Sequence, residues 1–279
     1  MSQSMSTPAD AVIRGAMSFI RPQDTKPTFN SAALTGGEAE VFFEMDEYMV
    51  EIGDMRGQKL SIDREGFELL RHSTKVADLY DDHAIDNRYK AEVKALLRDR
   101  FDASRVVIFD VTRRADSPAG AANRDGQRGP ARRVHVDYTV KSGPRRVRDI
   151  LGEAEFARLA TSGARIIQVN VWRPIRGPVQ RSPLALCDAA SVRPDELIVT
   201  DQVFPDRVGE IYNVAFAPSQ RWYFAPQMTR DEVLLIKGWD SLDDGRAGFT
   251  PHGAFEQPGA DQTALPRESI ELRTLVIVE

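Results

Sequence analysis

The chain has 279 residues, of which 42% are hydrophobic, and this is enough for one large domain with a sizeable core. The formal net charge is -5 and charges of both signs are mixed along the sequence, so nothing suggests a nucleic-acid partner. The single cysteine, Cys187, excludes an intramolecular disulfide and fits a reducing compartment. No apolar run reaches the roughly 20 residues that span a bilayer, and the polar N-terminus lacks the pattern of a signal peptide. We therefore expect a cytoplasmic protein with no membrane partner, and the sequence leaves its oligomeric state open.

Residues 1–37 are expected to form an N-terminal arm that is partly flexible, because prolines and a Thr-Gly-Gly turn interrupt any helix there. Apolar spacing predicts helices over 62–73, 87–101 and 147–162. Residues 113–133 are rich in glycine, proline, aspartate, asparagine and arginine, a composition typical of a long mobile loop. This loop could be a lid over a binding site or a surface insertion.

Short strands dominate the second half of the chain. They are predicted around His135 and over 105–111, 164–172, 196–203, 210–216, 221–225, 232–239 and 269–278. Proline and glycine turns separate them, which favours a mainly β fold with flanking helices, an α+β protein. We expect residues 38–279 to form a single double-stranded β-helix (jelly roll, cupin-like) domain. The sequence has no phosphate-binding glycine loop and no Gly-x-Ser-x-Gly, which argues against a nucleotide fold or an α/β-hydrolase.

A histidine and a carboxylate stand two positions apart in a predicted strand, as His135 and Asp137. Residues i and i+2 of a strand share a face, so the two side chains converge. The chain has only four histidines, and His252, late in the sequence, is the natural third member of a two-histidine, one-carboxylate iron site. Such a site leaves three neighbouring coordination positions open for substrate and dioxygen. His-x-Asp alone is common by chance, and it gains weight here from the β-rich context and the late histidine.

Arg267 comes just before the last predicted strand and Arg273 lies within it, and if one strand includes both, they share a face. Either could grip the distal carboxylate of a 2-oxo acid with its planar guanidinium. Arg267 is preferred because its spacing from His252 suits the end of the neighbouring strand. Arg273 could instead bind substrate or pair with Glu271, and either arginine could belong to a structural ion pair.

Asn170 and Trp172 share a face of another predicted strand. If that face lines the barrel, Asn170 can hydrogen-bond the cofactor or substrate, and Trp172 can form a wall of the pocket. The alternative is that Trp172 packs in the core and Asn170 satisfies a neighbouring loop. Arg133 and Tyr138, which flank the His135 and Asp137 pair, are further candidates for contact with substrate.

Several stretches resemble the AsaB/CmcJ-like hydroxylase/desaturase family, which includes gibberellin-desaturase-like proteins. The resemblance runs from about residue 105 to the C-terminus, and its main stretches are Asn-Val-Trp-Arg-Pro-Ile at 170–175, Pro-Leu-Ala-Leu-Cys-Asp at 183–188, Pro-His-Gly-Ala-Phe at 251–255 and Pro-Arg-Glu-Ser at 266–269. The family is similar to iron(II)/2-oxoglutarate-dependent oxygenases, and His135, Asp137, His252 and Arg267 match that pattern.

The resemblance implies Fe(II), 2-oxoglutarate and dioxygen as cofactors. It also implies oxidation of an unactivated C–H bond of a small molecule by hydroxylation, desaturation or oxidative cyclisation, in secondary metabolism. Arginines near the expected entrance favour a substrate that bears a carboxylate. Two other functions stay open: a non-catalytic barrel that binds a metabolite or assists a partner enzyme, and a non-haem iron oxidase that does not use 2-oxoglutarate.

Overall fold

The computed structural model describes residues 12–37, 39–123, 126–257, 259, 261 and 263–279. Its strands are β1 Val12–Ile20, β2 Thr28–Asn30, β3 Glu40–Val41, β4 Met45–Asp54, β5 Phe67–Arg71, β6 Arg105–Ala115, β7 Ala121–Asn123, β8 Gly126–Arg128, β9 His135–Val136, β10 Arg165–Pro174, β11 Leu184–Cys187, β12 Leu197–Val203, β13 Val208–Val214, β14 Trp222–Phe224, β15 Glu232–Asp240, β16 His252–Ala254 and β17 Glu268–Val278. Its α-helices are α1 Ala32–Thr35, α2 Asp82–Ala84, α3 Lys90–Phe101, α4 Ser142–Leu151 and α5 Glu153–Ser162. A π-helical turn, Ile85–Tyr89, joins α2 to α3, and short 3-10 turns lie at Ala189–Ser191 and Pro194–Glu196.

Two sheets form the body of the fold. A ten-stranded sheet has the order β1-β4-β14-β11-β16-β9-β13-β12-β2-β3, and a five-stranded sheet has the order β5-β15-β10-β17-β6. Apolar side chains from both sheets meet between them, such as Phe67 and Leu234 from one sheet and Leu184 and Leu186 from the other. This is the jelly roll that the sequence predicted, and its β10 strand is buried along almost its whole length because helices cover the outer face of the five-stranded sheet.

Helices pack on that outer face through apolar side chains. Val93 and Leu97 of α3 join a cluster with Val171 and Leu235, which point outward from the five-stranded sheet. Val147 of α4 and Leu159 of α5 join a second cluster on the same sheet with Ile166, Leu275 and Ile277. The helix predicted over 87–101 corresponds to the π-helical turn and α3, and the segment predicted as one helix over 147–162 is two helices that meet at Gly152.

The helix predicted over 62–73 is wrong, because Phe67–Arg71 is strand β5. It pairs antiparallel with β15, with Phe67 opposite Ile236 and Arg71 opposite Glu232. Leu69 packs between the two sheets, whereas Leu70 packs on the helix-covered side. The apolar residues therefore alternate with the period of a strand, and five residues were too few to separate that period from a helical one.

The expected N-terminal arm is only partly an arm. Residues 1–11 lie outside the described residues, but Val12–Ile20 is a strand that pairs with β4 along its whole length. Besides pairing with β4, this strand forms an isolated bridge between Ala16 and Glu256. A Cβ at Gly15 would lie 2.4 Å from a ring carbon of Phe255, so the close approach requires glycine there.

The segment expected to be a long loop, 113–133, carries more regular structure than its composition suggests. Its first residues continue β6 to Ala115, and β7 and β8 pair with each other. Residues 124 and 125, including Arg124, lie outside the described residues. Arg114 donates a hydrogen bond to the carbonyl oxygen of Gly129 (2.9 Å), and Asn123 pairs with the backbone of Arg113. These bonds attach the segment to the barrel, which composition alone could not reveal.

In the described part of the chain, no helix is long and apolar enough to cross a membrane.

Candidate metal centre and its cavity

The two histidines of the predicted triad lie directly opposite each other on neighbouring strands. His135 of β9 pairs with His252 of β16, and their ring centroids are 4.5 Å apart. Asp137 follows β9 and presents its carboxylate to the same point, so that ligand atoms of all three residues lie within 4.8 Å of one another. The structure therefore brings together all three residues that the sequence selected as metal ligands.

Backbone carbonyl groups orient both imidazole rings. Nδ1 of His135 lies 2.8 Å from the carbonyl oxygen of Arg133, and Nδ1 of His252 lies 3.0 Å from that of Thr250. With the hydrogen on Nδ1, each ring donates to its carbonyl and leaves Nε2 with a free lone pair for a metal. Burial, and then the neighbouring His252, lower the pKa of His135 to about 3, so the ring is neutral as a metal ligand must be.

The carboxylate of Asp137 is held ionised in a buried position. Burial favours the neutral acid, but the positive charge of Arg273 opposes it and holds the pKa of Asp137 well below its usual range. Nη2 of Arg273 lies 3.4 Å from Oδ1, and the side-chain amide of Asn170 donates a hydrogen bond to Oδ2. Two imidazoles and one carboxylate on one side of a metal are the donor set typical of non-haem Fe(II).

A cavity of about 600 Å³ opens next to this centre, and both His135 and Asp137 line it. Its volume is in the range of sites that enclose small molecules. Phe29 of β2, Tyr138 and Ile211 of β13 supply apolar parts of the wall. The described lining holds eight arginines against five carboxylates, so the cavity carries an excess of positive charge. These arginines are Arg114, Arg128, Arg132, Arg133, Arg145, Arg146, Arg207 and Arg273.

The structure separates the two arginines that the sequence proposed for the 2-oxo acid. Arg273 lines the cavity, and its guanidinium contacts Glu271 (3.0 Å) and Asp137. Arg267 precedes β17, is 2% exposed, and donates a hydrogen bond to the carbonyl oxygen of Ser182 (2.5 Å). Its Nε has no hydrogen-bond partner, and no described carboxylate forms an ion pair with it. Burial, and then the positive charge of Arg114, lower the pKa of Arg267 to about 9.

The Asn170 and Trp172 pair occupies the inner face of β10, but neither residue lines the cavity. Asn170 is 1% exposed and holds the metal-ligand candidate Asp137. Trp172 packs in the core between the sheets, and the Arg267 guanidinium lies 5.7 Å from its ring centroid. The alternative in which Trp172 is a core residue is thus the one that the structure favours.

Arg133 and Tyr138 do line the cavity. The Arg133 guanidinium stacks on Phe29 at 4.2 Å from the ring centroid. Burial raises the pKa of Tyr138 to about 12, so its hydroxyl stays protonated at neutral pH.

One cavity residue that the sequence did not select is Arg114, which pairs with Ser269 across β6 and β17. A signal for it exists: Asp110, Thr112 and Arg114 alternate along one strand, as residues that share an inward face do. The loop interpretation of 113–133 hid this alternation.

A mainly β jelly roll with a buried two-histidine, one-carboxylate centre defines the class of non-haem iron oxygenases. A family model described as "Oxidoreductase/YMDC permease-like domain" matches residues 17–277. The chain is 34% identical over 256 residues to the hydroxylase/desaturase efuI of Hormonema carpetanum, which covers 82% of this chain and 83% of that protein. It is 30% identical over 255 residues to the Fe(II)/2-oxoglutarate-dependent dioxygenase nvfI of Aspergillus novofumigatus, with 86% and 87% covered.

Among solved structures, the iron and alpha-ketoglutarate-dependent endoperoxidase NvfI is similar, with a TM-score of 0.82 and 27% identity. The match covers 96% of this chain and 98% of the solved one. The chain therefore belongs to the hydroxylase/desaturase family that its sequence resembles.

Proposed function

We propose that this protein is an Fe(II)- and 2-oxoglutarate-dependent oxygenase that oxidises an unactivated C–H bond of a small molecule in secondary metabolism. The outcome of the oxidation is a hydroxylation, a desaturation or an oxidative cyclisation. The observation that carries the proposal is the buried centre of His135, Asp137 and His252, which opens onto a cavity large enough for a small molecule. Fe(II), 2-oxoglutarate and dioxygen together supply the oxidant for C–H cleavage, and the protein positions both organic molecules and excludes water.

His135, Asp137 and His252 would hold the iron. Asn170 acts on the iron through Asp137, because its amide occupies one lone pair of Oδ2 and fixes the carboxylate. Arg273 supplies the positive charge that keeps Asp137 ionised before the metal binds.

Arg267 would hold the distal carboxylate of 2-oxoglutarate. Its support is a buried cation with an unpartnered Nε and no ion-pair partner among the described residues, an arrangement that costs free energy until an anion binds. The Trp172 ring lies beside the guanidinium as a cation–π partner and accepts none of its hydrogen bonds.

Tyr138 and Arg133 would contact the substrate, because both lie on the cavity wall within two residues of a metal ligand. The excess of arginines in this wall supports a substrate that bears a carboxylate. The 113–133 segment, whose described residues 114, 116, 117 and 127–133 line the cavity, would act as its lid. A cytoplasmic location accords with the single, buried cysteine.

The experiment measures metal content, 2-oxoglutarate binding and oxygen-dependent succinate formation in the purified protein. We expect one Fe(II) per chain, and we expect Fe(II) with 2-oxoglutarate to raise the melting temperature without oxygen, because ligands that bind the folded state stabilise it. His135→Ala and His252→Ala should each lose the metal and all succinate formation. The control is His83→Ala, since His83 is exposed and lies outside the cavity.

A protein that retains iron and succinate formation in the His135→Ala variant would contradict the proposed centre. Iron binding without any binding of 2-oxoglutarate would contradict the cofactor assignment, and oxygen uptake with substrate alone would then indicate an iron oxidase.

A further inference from the structure

Arg133 lines the cavity and lies two residues before the metal-ligand candidate His135 in the same extended stretch. Residues 133, 135 and 137 alternate with Val134 and Val136, which are fully buried in the cluster on the opposite face. Arg133, His135 and Asp137 all line the cavity. The guanidinium thus emerges on the same side of the strand as the metal centre.

The Arg133 guanidinium is packed but lacks polar partners. It stacks on Phe29 at 4.2 Å and on Phe43 at 5.6 Å from the ring centroids, and the two rings meet edge to face. Its Nη1 is buried without a hydrogen-bond partner, and no described residue accepts a hydrogen bond from its side chain. Buried arginine donors are ordinarily paired, because an unpaired buried donor is destabilising.

Arg133 has no carboxylate partner: none of the ion pairs in the described part of the chain includes its guanidinium. Arg207, on the same cavity wall, differs in this respect because Asp206 pairs with it at 3.0 Å. Arg133 therefore packs against two aromatic rings, lines the cavity and has no anionic partner among the described residues.

The apolar residues of the cavity wall indicate the chemistry of the part of the ligand that does not carry the negative charge. Phe29, Phe109, Tyr138, Phe204 and Ile211 line the same cavity as Arg133 and the metal centre. A molecule that is mostly hydrocarbon would bury its surface against them, and a volume of about 600 Å³ admits a body of several fused rings.

We propose that the substrate is an organic acid with a bulky apolar body, and that Arg133 binds its carboxylate and so fixes which carbon faces the iron. This proposal rests on the proposed oxygenase function, of which it names the substrate class. The site is separate from the 2-oxoglutarate site, because Arg133 packs on β2 of the ten-stranded sheet whereas Arg267 packs on Trp172 of the five-stranded sheet. Arg133 is accordingly a determinant of specificity for substrate and not for the cofactor.

The test measures calorimetric binding of matched acid and amide probes to the protein loaded with Mn(II) and saturating 2-oxoglutarate, a combination that prevents turnover. The probes are benzoate and benzamide, 1-naphthoate and 1-naphthamide, and adamantane-1-carboxylate and its carboxamide. The proteins are the wild type, Arg133→Gln, Arg133→Lys and, as the matched control with the same change of charge, Arg193→Gln. Binding of 2-oxoglutarate to each variant is measured separately.

We expect at least one acid to bind roughly 10-fold to 100-fold more tightly than its amide, the range of a charge-assisted hydrogen-bond pair. Arg133→Gln should abolish this preference, Arg133→Lys should restore part of it, and Arg193→Gln should keep it. The 2-oxoglutarate affinity should be the same in all four proteins.

Three results would overturn the proposal. The first is no preference for acid over amide in any of the three pairs, and the second is a preference that survives in Arg133→Gln. The third is loss of 2-oxoglutarate binding in Arg133→Gln, since Arg133 would then serve the cofactor. Failure of the oxygenase function is distinguishable, because it would show as absent binding of metal and 2-oxoglutarate by the wild type. An acid preference that depends on Arg133 would stand even then.

Discussion

Arg267 and Arg273 lie six positions apart at the beginning and middle of the β17 region, yet their surroundings differ in the sign of the nearby charge. Arg273 contacts Glu271 and Asp137, and Asp110 lies 3.8 Å from it. Although burial opposes the effect, Asp137 and Glu271 raise the pKa of Arg273 well above its usual value. Arg267 is more deeply buried than Arg273, and burial and then the positive charge of Arg114 lower its pKa.

The difference shows which arginine has its positive charge compensated by protein carboxylates when no ligand is bound. Arg273 already has its anions and acts on one of them, the carboxylate of Asp137. Arg267 has one carbonyl oxygen and an aromatic ring, and its charge is uncompensated until an anion arrives. Sequence spacing gave only a preference for Arg267, whereas the charges around the two residues support our proposal that Arg273 acts on the metal ligand and Arg267 on the cofactor.

The largest effect is expected for Arg267→Gln. The 2-oxoglutarate dissociation constant should rise about 100-fold or more, because a buried charge-assisted pair is removed. Metal affinity should be unchanged, since Arg267 does not contact the ligands. Equilibrium binding of 2-oxoglutarate to the Mn(II) protein under nitrogen measures the first quantity and metal titration the second. If 2-oxoglutarate binds as tightly as in the wild type, Arg267 is not its anchor.

Arg273→Gln should lower the metal affinity more than the 2-oxoglutarate affinity, the opposite of Arg267→Gln. Metal affinity should fall by about 10-fold to 100-fold, because Asp137 loses the cation that stabilises its ionised form. The 2-oxoglutarate affinity of the metal-saturated protein should change much less than in Arg267→Gln. Metal titration with a competing chelator measures the effect, and a larger loss of 2-oxoglutarate than of metal would exchange the roles of the two arginines.

A smaller loss, about 10-fold in metal affinity, is expected for Asn170→Ala, which removes the amide that fixes Asp137. The matched control is Gln168→Ala on the same strand face, since its amide donates to the carbonyl oxygen of Gly143 and not to a ligand. Both variants leave a buried partner unsatisfied, so thermal melting is recorded beside the metal titration. Equal metal affinity in the two variants would mean that Asn170 serves stability alone.

The smallest effect is expected for Trp172→Phe, which keeps an aromatic face below Arg267. The 2-oxoglutarate dissociation constant should rise by no more than about 5-fold, in line with cation–π energies of roughly 0.5–1 kcal/mol. Substrate KM should be unaffected because Trp172 does not line the cavity. Steady-state kinetics at saturating 2-oxoglutarate tests this, and a clear rise in substrate KM would return Trp172 to the pocket wall.

Much of the site could be predicted because its signals are local or chemically rare. The i, i+2 placement of His135 and Asp137 needs only the geometry of a strand, and the shortage of histidines selects His252 as the third ligand. Phe67–Arg71 failed because the apolar residues of a five-residue segment fit two periods, and pairing with β15 decided between them. Arg114 was missed because the composition of the residues after it indicated a loop, although Arg114 itself lies in β6.

The sequence by itself determined the strand-rich fold, the residue types of the metal centre and the two arginines that compete for one anion. Only the tertiary structure decided that His252 lies opposite His135, that Asn170 holds Asp137, and that Arg133 is bounded by two aromatic rings without an acid partner. The physical reason is that ligand type is a property of one residue, whereas charge compensation is a property of its neighbours. Those neighbours come from both sheets, and they are set by strand pairing across long stretches of chain.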